Sequence, residues 1–297
     1  MSNILKGKVA VITGSSRGLG FAIAETYARE GAKVVIASRS QKSVDLAVAS
    51  IIHSGYQAAG RACDVADLEQ VEALADFAIE RFGQIDIWVN NAGLSAPYGP
   101  TAHIPSDEVL KVMNTNMIGT YNGSVVALRK MISQKNGKLI NLLGRGDNGS
   151  VKFQNAYTSS KIWVRNFTET LAKEYDESGI DIFGFNPGIV FTDMINQVEA
   201  VAGYEEKMQP LRIVAPLLGN DADVPAAKAL WLASAESDGK NGMMSTVLTR
   251  GFMLKRLLLG AWKWVSHRFK KLDLHIERVE PPRELAPVPI KNRDSQR

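Results

Sequence analysis

Cysteine is nearly absent from this chain: Cys63 stands alone among 297 residues. A single thiol excludes an intramolecular disulfide and provides no metal-ligand cluster, so no metal site is expected and a reducing compartment is the simplest setting. Cys63 itself reads as a small buried hydrophobe. Long apolar runs are missing as well. The late stretch GFMLKRLLLGAWKWV is cut by Lys255, Arg256 and Lys263, which leaves it short of the roughly 18 apolar residues a spanning helix needs. The opening MSNILKGKVAVITG has no basic segment followed by an apolar one and a cleavage site, which points to a cytoplasmic protein.

Acidic residues are scarce at one end. Residues 250–297 hold 12 Lys or Arg against 5 Asp or Glu, a net +7, so the remaining 249 residues carry −3 of the overall +4. The basic character belongs to the tail and comes with no recognisable nucleic-acid reading module, so nucleic-acid binding is not expected.

What is present is an apolar fraction of 45%, enough for a full core, in an alternating order. The short apolar runs VAVITG, KVVIAS, QAAGRACD, IDIWVNNAG, GKLINLL, IDIFGFNPG and MMSTVL read as strands. Between them, residues 18–30, 41–54, 67–82, 106–134 and 155–178 read as helices. Strand–helix alternation with continuously apolar strands predicts a parallel sheet covered on both faces, in one α/β domain. Gly31, Gly55, Gly83, Gly137 and Gly179 fall where left-handed caps would end helices.

TGSSRGLG, residues 13–20, lies between the first strand and the first helix. Its glycines permit a tight turn and close backbone approach to a pyrophosphate, and the helix start offers unpaired N–H groups. Gly14, Ser16, Arg17, Gly18, Leu19 and Gly20 are the expected contacts. About 20 residues on, where an acid would hold the ribose hydroxyls of NAD, stand Ser38 and Arg39. A cation there suits a 2′-phosphate, and Arg17 is within reach of the same group, so NADP(H) is the expected cofactor.

With CDV at 63–65, NNAG at 90–93, Asn116 in NTNMIG, YTSSK at 157–161 and NPGIVFT at 186–192 following in order, the chain resembles the short-chain dehydrogenase/reductase family over residues 5–248. The resemblance implies a single Rossmann-type doubly wound fold with a seven-stranded parallel sheet, assembled as a homodimer or homotetramer. It implies that Asp64 and Val65 meet the adenine, that Asn91, Ala92 and Gly93 line the cofactor groove, and that Pro187, Gly188, Val190 and Thr192 touch the nicotinamide end. It further implies hydride transfer between nicotinamide and a carbonyl or alcohol carbon.

Tyr157 and Lys161 stand four apart on one helix and so share a face. A phenol with a pKa near 10 needs help to act at neutral pH, and a neighbouring ammonium and the nicotinamide charge are expected to lower it. Tyr157 is then the proton donor, Lys161 its activator and ribose ligand, and Asn116 the anchor of a water chain, as the family pattern implies. The departure is at Gly144, 13 residues before the tyrosine, where the family places a substrate-orienting serine; one residue earlier is Leu143. Losing such a donor typically costs about 100- to 1,000-fold in rate. Ser150, Asn148, Asn155 and the backbone of the turn 144–146 are candidate substitutes, the backbone first. The RGD at 145–147 reads as loop residues at the rim of the site.

Three functions remain open: an NADPH-dependent carbonyl reductase, an NADP(H)-binding regulatory or scaffold protein, and a non-redox enzyme of epimerase or dehydratase type. Residues 192 to about 221 carry Met194, Ile195, Val198, Tyr204, Met208, Leu211 and Ile213 and resemble the family's mobile lid over an apolar carbonyl substrate. Residues 1–249 are expected to form the Rossmann domain and 250–297 a basic amphipathic helix with a Pro-rich extended arm. Leu254, Leu258, Ala261, Val265, Phe269 and Leu272 share one side of that helix, with Trp262 and Trp264 nearby. It fits packing on a neighbouring subunit, covering the pocket, or peripheral membrane contact through residues 252–272.

Overall fold

The computed structural model describes residues 3–192, 195, 197–266 and 272–282. Met194, Phe269 and the arm beyond residue 282 lie outside the described residues. The seven apolar runs become strands β1 (Val9–Thr13), β2 (Lys33–Ser38), β3 (Ala58–Ala62), β4 (Ile87–Asn90), β5 (Gly137–Leu142), β6 (Ile180–Asn186) and, beyond the short β7 (Gln197–Val201), β8 (Met244–Thr246). They pair in the order β3-β2-β1-β4-β5-β6-β8, and every pairing is parallel. Connecting them are α1 (Gly18–Arg29), α2 (Gln41–His53), α3 (Leu68–Phe82), α4 (Ser106–Met113), α5 (Gly119–Gln134), α6 (Asn155–Glu174), α7 (Leu211–Leu218), α8 (Asp223–Ala233) and α9 (Arg250–Val265).

The strands are apolar throughout because both faces are covered. Ile12, Val34, Ile36 and Phe183 point to one side, where they meet Ile23 and Tyr27 of α1 and Leu232 of α8. Their neighbours Val11, Val35 and Ile182, with Trp88, point to the other, against Leu74 of α3, Val126 of α5 and Leu171 of α6. Each such side chain contributes roughly 1.5–3 kcal/mol by leaving water. A polar residue at alternate positions would open one layer.

Some boundaries differ from expectation. Residues 106–134 are not one regular helix, since Asn114–Ile118 forms a π-turn between α4 and α5. Gly31, Gly55, Gly83 and Gly179 do have positive φ, but Gly137 does not. The left-handed residue ending α5 is Lys135, at φ 51°, and Gly137 opens β5. Its role is spatial: a Cβ there would press to 2.6 Å from Met131 Cγ.

The mostly polar residues 275–278 carry no strand signal in the sequence. They lie in β9 (His275–Val279), which pairs in parallel with β7, from Gln197↔His275 to Val201↔Val279. Leu274 is buried with Ala200 and Met208 beneath this pair. The segment following α9 is thereby fastened to residues 197–201 and to Met208.

Candidate active site

In the sheet, β1 lies between β2 and β4, so the strand order reverses there and a crevice opens at the carboxyl ends. The glycine loop fills that end. Gly14 and Gly18 have φ of 63° and 59°, values that favour glycine. A Cβ on Gly14 would come within 2.8 Å of Ala92 Cα, and one on Gly18 within 3.4 Å of Thr192 Cγ2. A Cβ on Gly20 would run into Asn91 Nδ2 and Gly14 O, so α1 can start this close to β1 only with glycine there.

Polar side chains fix the two walls of the crevice. Thr13 Oγ1 accepts from the N–H groups of Asn91 and Ala92, both at 3.1 Å, and Asn91 Nδ2 donates to Thr13 O and Gly14 O. Leu19 packs its side chain onto the core, which leaves only its backbone for the cleft. Ser16 is partly exposed, and Arg17 and Arg39 are exposed.

Ser38 Oγ, at the end of β2, is shut off from solvent and has no hydrogen-bond partner among the described residues. Buried hydroxyls are rarely left unpaired, so this atom is suited to an added ligand. Asp64 caps its own turn, with Oδ1 accepting from Ala66 N at 3.0 Å, and Val65 is buried with its carbonyl held by Asn122. On the far side Gly188 N donates to Asn186 Oδ1 at 2.9 Å, Pro187 precedes it, and Val190 is buried in a bridge to Asn220. The glycine cradle at the start of α1 and the end of β2 beside it fit a dinucleotide.

The catalytic candidates gather at the carboxyl end of β5. Lys161 is buried and donates from Nζ to Leu142 O at 2.9 Å. A Cβ on Gly93 would lie 3.5 Å from Asn116 Oδ1 and 3.7 Å from Lys161 Nζ, which places all three together. Asn116 is buried in the π-turn, an insertion that recurs at functional positions in helices. Its amide makes three hydrogen bonds: Oδ1 accepts from Leu94 N, and Nδ2 donates to Leu94 O and Ser160 Oγ.

The hydroxyl of Tyr157 sits against Gly144, in the volume a side chain at 144 would enter. Burial, then the negative charge of Asp147, pushes the phenol up to about 12, with Arg145 opposing. The sequence implies the opposite direction; the difference is that burial of the phenol itself dominates and the buried Asp147 adds to it. Lys161 is desolvated as well. Burial lowers its ammonium to about 8, against a smaller upward pull from Asp147.

Asp147 is a member of this site that the sequence did not single out. It is buried, accepts from Asn186 Nδ2 at 3.0 Å and pairs with Arg165 at 3.3 Å. The same Asn186 amide donates to Gly144 O at 3.0 Å. Arg165 is four residues beyond Lys161 and eight beyond Tyr157, a spacing that placed it on their face of α6 and was the available signal. In the RGD, Asp147 therefore turns inward and Arg145 stays exposed at the rim.

Of the candidate donors near Gly144, Asn148 and Ser150 are exposed, and Asn155 Nδ2 is directed to Thr101 Oγ1 at 3.1 Å. Asp147 N is used by Gly144 O at 3.1 Å. Among the described residues, the N–H groups of Gly144, Arg145 and Gly146 have no partner within the chain.

The family model described as short chain dehydrogenase matches residues 8–202. The chain is 36% identical over 193 residues to a diacetyl reductase [(S)-acetoin forming] of Staphylococcus epidermidis, covering 65% of this chain and 75% of that one. It is 35% identical over 246 residues to 3beta-hydroxysteroid dehydrogenase 1 of Eggerthella lenta, covering 82% and 92%. The crystal structure of a gluconate 5-dehydrogenase from Burkholderia cenocepacia in complex with NADP and tartrate superposes with a TM-score of 0.74 at 28% identity, covering 86% of this chain and 98% of that one. This chain belongs to the short-chain dehydrogenase family of oxidoreductases.

Proposed function

We propose that the protein is an NADPH-dependent reductase of an apolar small-molecule carbonyl, acting as a homodimer or homotetramer in the cytoplasm. The observation that carries this reading is the placement of the Tyr157 hydroxyl against Gly144 at the end of β5, with Lys161 behind it. Bound NADP(H) supplies the hydride.

Tyr157 Oη gives its proton to the oxygen of the carbonyl being reduced. A phenol held near 12 carries its proton at neutral pH but is a weak acid, so its transfer depends on the still more basic alkoxide that forms as hydride arrives. Lys161 contributes a positive charge beside the forming alkoxide and a donor toward the ribose. Asn116 acts as a positioning residue, because its amide grips Leu94 from both sides and so fixes the adjoining Gly93 beside Lys161. With no hydroxyl at 144, the N–H groups of the turn 144–146 are the donors for the carbonyl oxygen, and Asn186 holds that turn through Gly144 O.

The preference for the 2′-phosphorylated cofactor rests on Ser38, Arg39 and Arg17, and it is supported by the NADP named with the gluconate 5-dehydrogenase. An apolar carbonyl is supported by the lid residues and by relatives named for diacetyl and a hydroxysteroid.

The test is NADPH oxidation by the purified protein with a panel of apolar ketones and aldehydes. Tyr157→Phe should lower kcat by about 100- to 10,000-fold while leaving NADPH binding intact. Arg39→Ala should weaken NADPH binding about 10- to 100-fold and leave NADH nearly unchanged. Turnover that survives in Tyr157→Phe, or tighter binding of NADH than NADPH by the unmodified protein, overturns the corresponding half.

A further inference from the structure

Helix α9 presents its apolar side outward. Leu254, Leu258 and Trp262, successive at i+4 spacing, are 61%, 64% and 55% exposed, and Leu257 beside them is also exposed. Its inward side carries Phe252, which packs on the core cluster, and Arg256, whose guanidinium lies over the Phe252 ring and donates to Gly219 O. A surface helix ordinarily buries its leucines and shows its cations. Here the leucines face outward beside the cations, and a contiguous exposed apolar face of this kind marks a contact surface.

The charge around it selects the occupant. Along the sequence, the helix and the residues that follow it, 250–272, hold seven Lys or Arg and no Asp or Glu. Arg250 and Lys255 are exposed on α9 itself. A second copy meeting this face across a two-fold axis would set one basic helix against another, which costs free energy. An anionic lipid surface attracts the cations and accepts leucine and tryptophan side chains at the level of its headgroups. Among the described residues no helix is long and apolar enough to cross a membrane, so the contact is one that lies on the surface.

We propose that α9 docks this protein on anionic membrane surfaces through Leu254, Leu257, Leu258 and Trp262, with the flanking Lys and Arg drawn to the lipid headgroups. Because Arg256 ties α9 to Gly219, immediately after α7, the docked face adjoins the lid over the substrate cleft. The proposal concerns location and stands whether or not the chemistry above is correct.

The experiment is co-sedimentation of the full-length protein with vesicles of phosphatidylcholine alone and of phosphatidylcholine mixed with phosphatidylserine. The double variant Leu254→Glu/Leu258→Glu is run in parallel, with Tm and sedimentation velocity recorded for both proteins without lipid. The expected result is binding to the phosphatidylserine vesicles at least about 10-fold tighter than to neutral ones. High salt should weaken it, and the double variant should lose it by on the order of 100-fold with Tm unchanged. Both substituted side chains are exposed, so the variant retains the fold. Failure to bind either vesicle, binding that the variant leaves intact, or a lipid-free assembly that the variant breaks into smaller species would each overturn the proposal, the last by making this face a subunit interface.

Discussion

The Tyr157 hydroxyl occupies the volume into which a Cβ on Gly144 would project. The glycine is thus a packing requirement of the present tyrosine position. Gly144→Ala should displace the phenol and lower kcat by roughly 10- to 100-fold, since a misplacement of about 1 Å can cost that much. Gly144→Ser should not raise kcat, because its own Cβ meets the same hydroxyl. A serine variant faster than the unmodified protein would show that the turn lacks only a donor.

Lys161 links activity and stability to the same titration. Its ammonium is lowered to about 8 in the fold from 10.5, because burial penalises the charge. Reductase activity should therefore be level below pH 8 and fall above it as Lys161 loses its proton. The stability sign follows from the unfolded chain holding that proton more tightly. The cost to the fold is fully present below pH 8 and fades as pH rises from about 8 to 10.5. Lys161→Met should be inactive yet more stable at pH 7, by on the order of 1 kcal/mol after losing the bond to Leu142 O. Denaturant unfolding at pH 7 and pH 10 checks this, and an advantage that grows with pH would contradict it.

Much of this was legible in the sequence because it is local or periodic. Val11 and Ile12 are both apolar since opposite faces of β1 are both covered, and that pattern alone marks a buried parallel strand. Tyr157 and Lys161 share a face by simple helix geometry. Asp147 was not legible, because its partners Arg165 and Asn186 are 18 and 39 residues away and meet it only once α6 and β6 are packed. Nor was β9: HIERV is mostly polar, and its partner strand lies more than 70 residues earlier. Even Gly137 misled, since a glycine between helix and strand reads equally as a cap or as room for Met131.

Asp147 should show itself in a pH profile. Its charge raises both the Tyr157 phenol and the Lys161 ammonium. Asp147→Asn keeps an oxygen able to accept from Asn186 and removes the charge. The alkaline fall in activity, set by Lys161, should then begin at lower pH, by up to about one unit. Arg165 retains Glu169 at 3.0 Å, so the loss of stability should stay within about 1 kcal/mol. A lower rate with an unmoved profile would mean that Asp147 holds the turn by shape alone.

The pairing of β7 with β9 makes a different demand on the tail. Ala202 N donates to Val279 O at 3.0 Å, whereas Val201 N, next to it, donates to Tyr98 O at 3.0 Å. Leu274 is buried with Ala200 and Met208, so truncating it to alanine should cost about 2–4 kcal/mol, concentrated in the docking of β9. Hydrogen exchange then separates the two amides. Leu274→Ala should speed exchange at Ala202 while Val201, held from the β4 side, stays protected, because local opening exposes only the bonds that the lost contact supported. If substrate is enclosed by this lid, KM should rise in the same variant with Tyr157 chemistry, and hence kcat, less affected. Equal protection of Ala202 in both proteins would show that β9 is held by its strand pairing alone, and truncation before residue 275 would then be needed to free the lid.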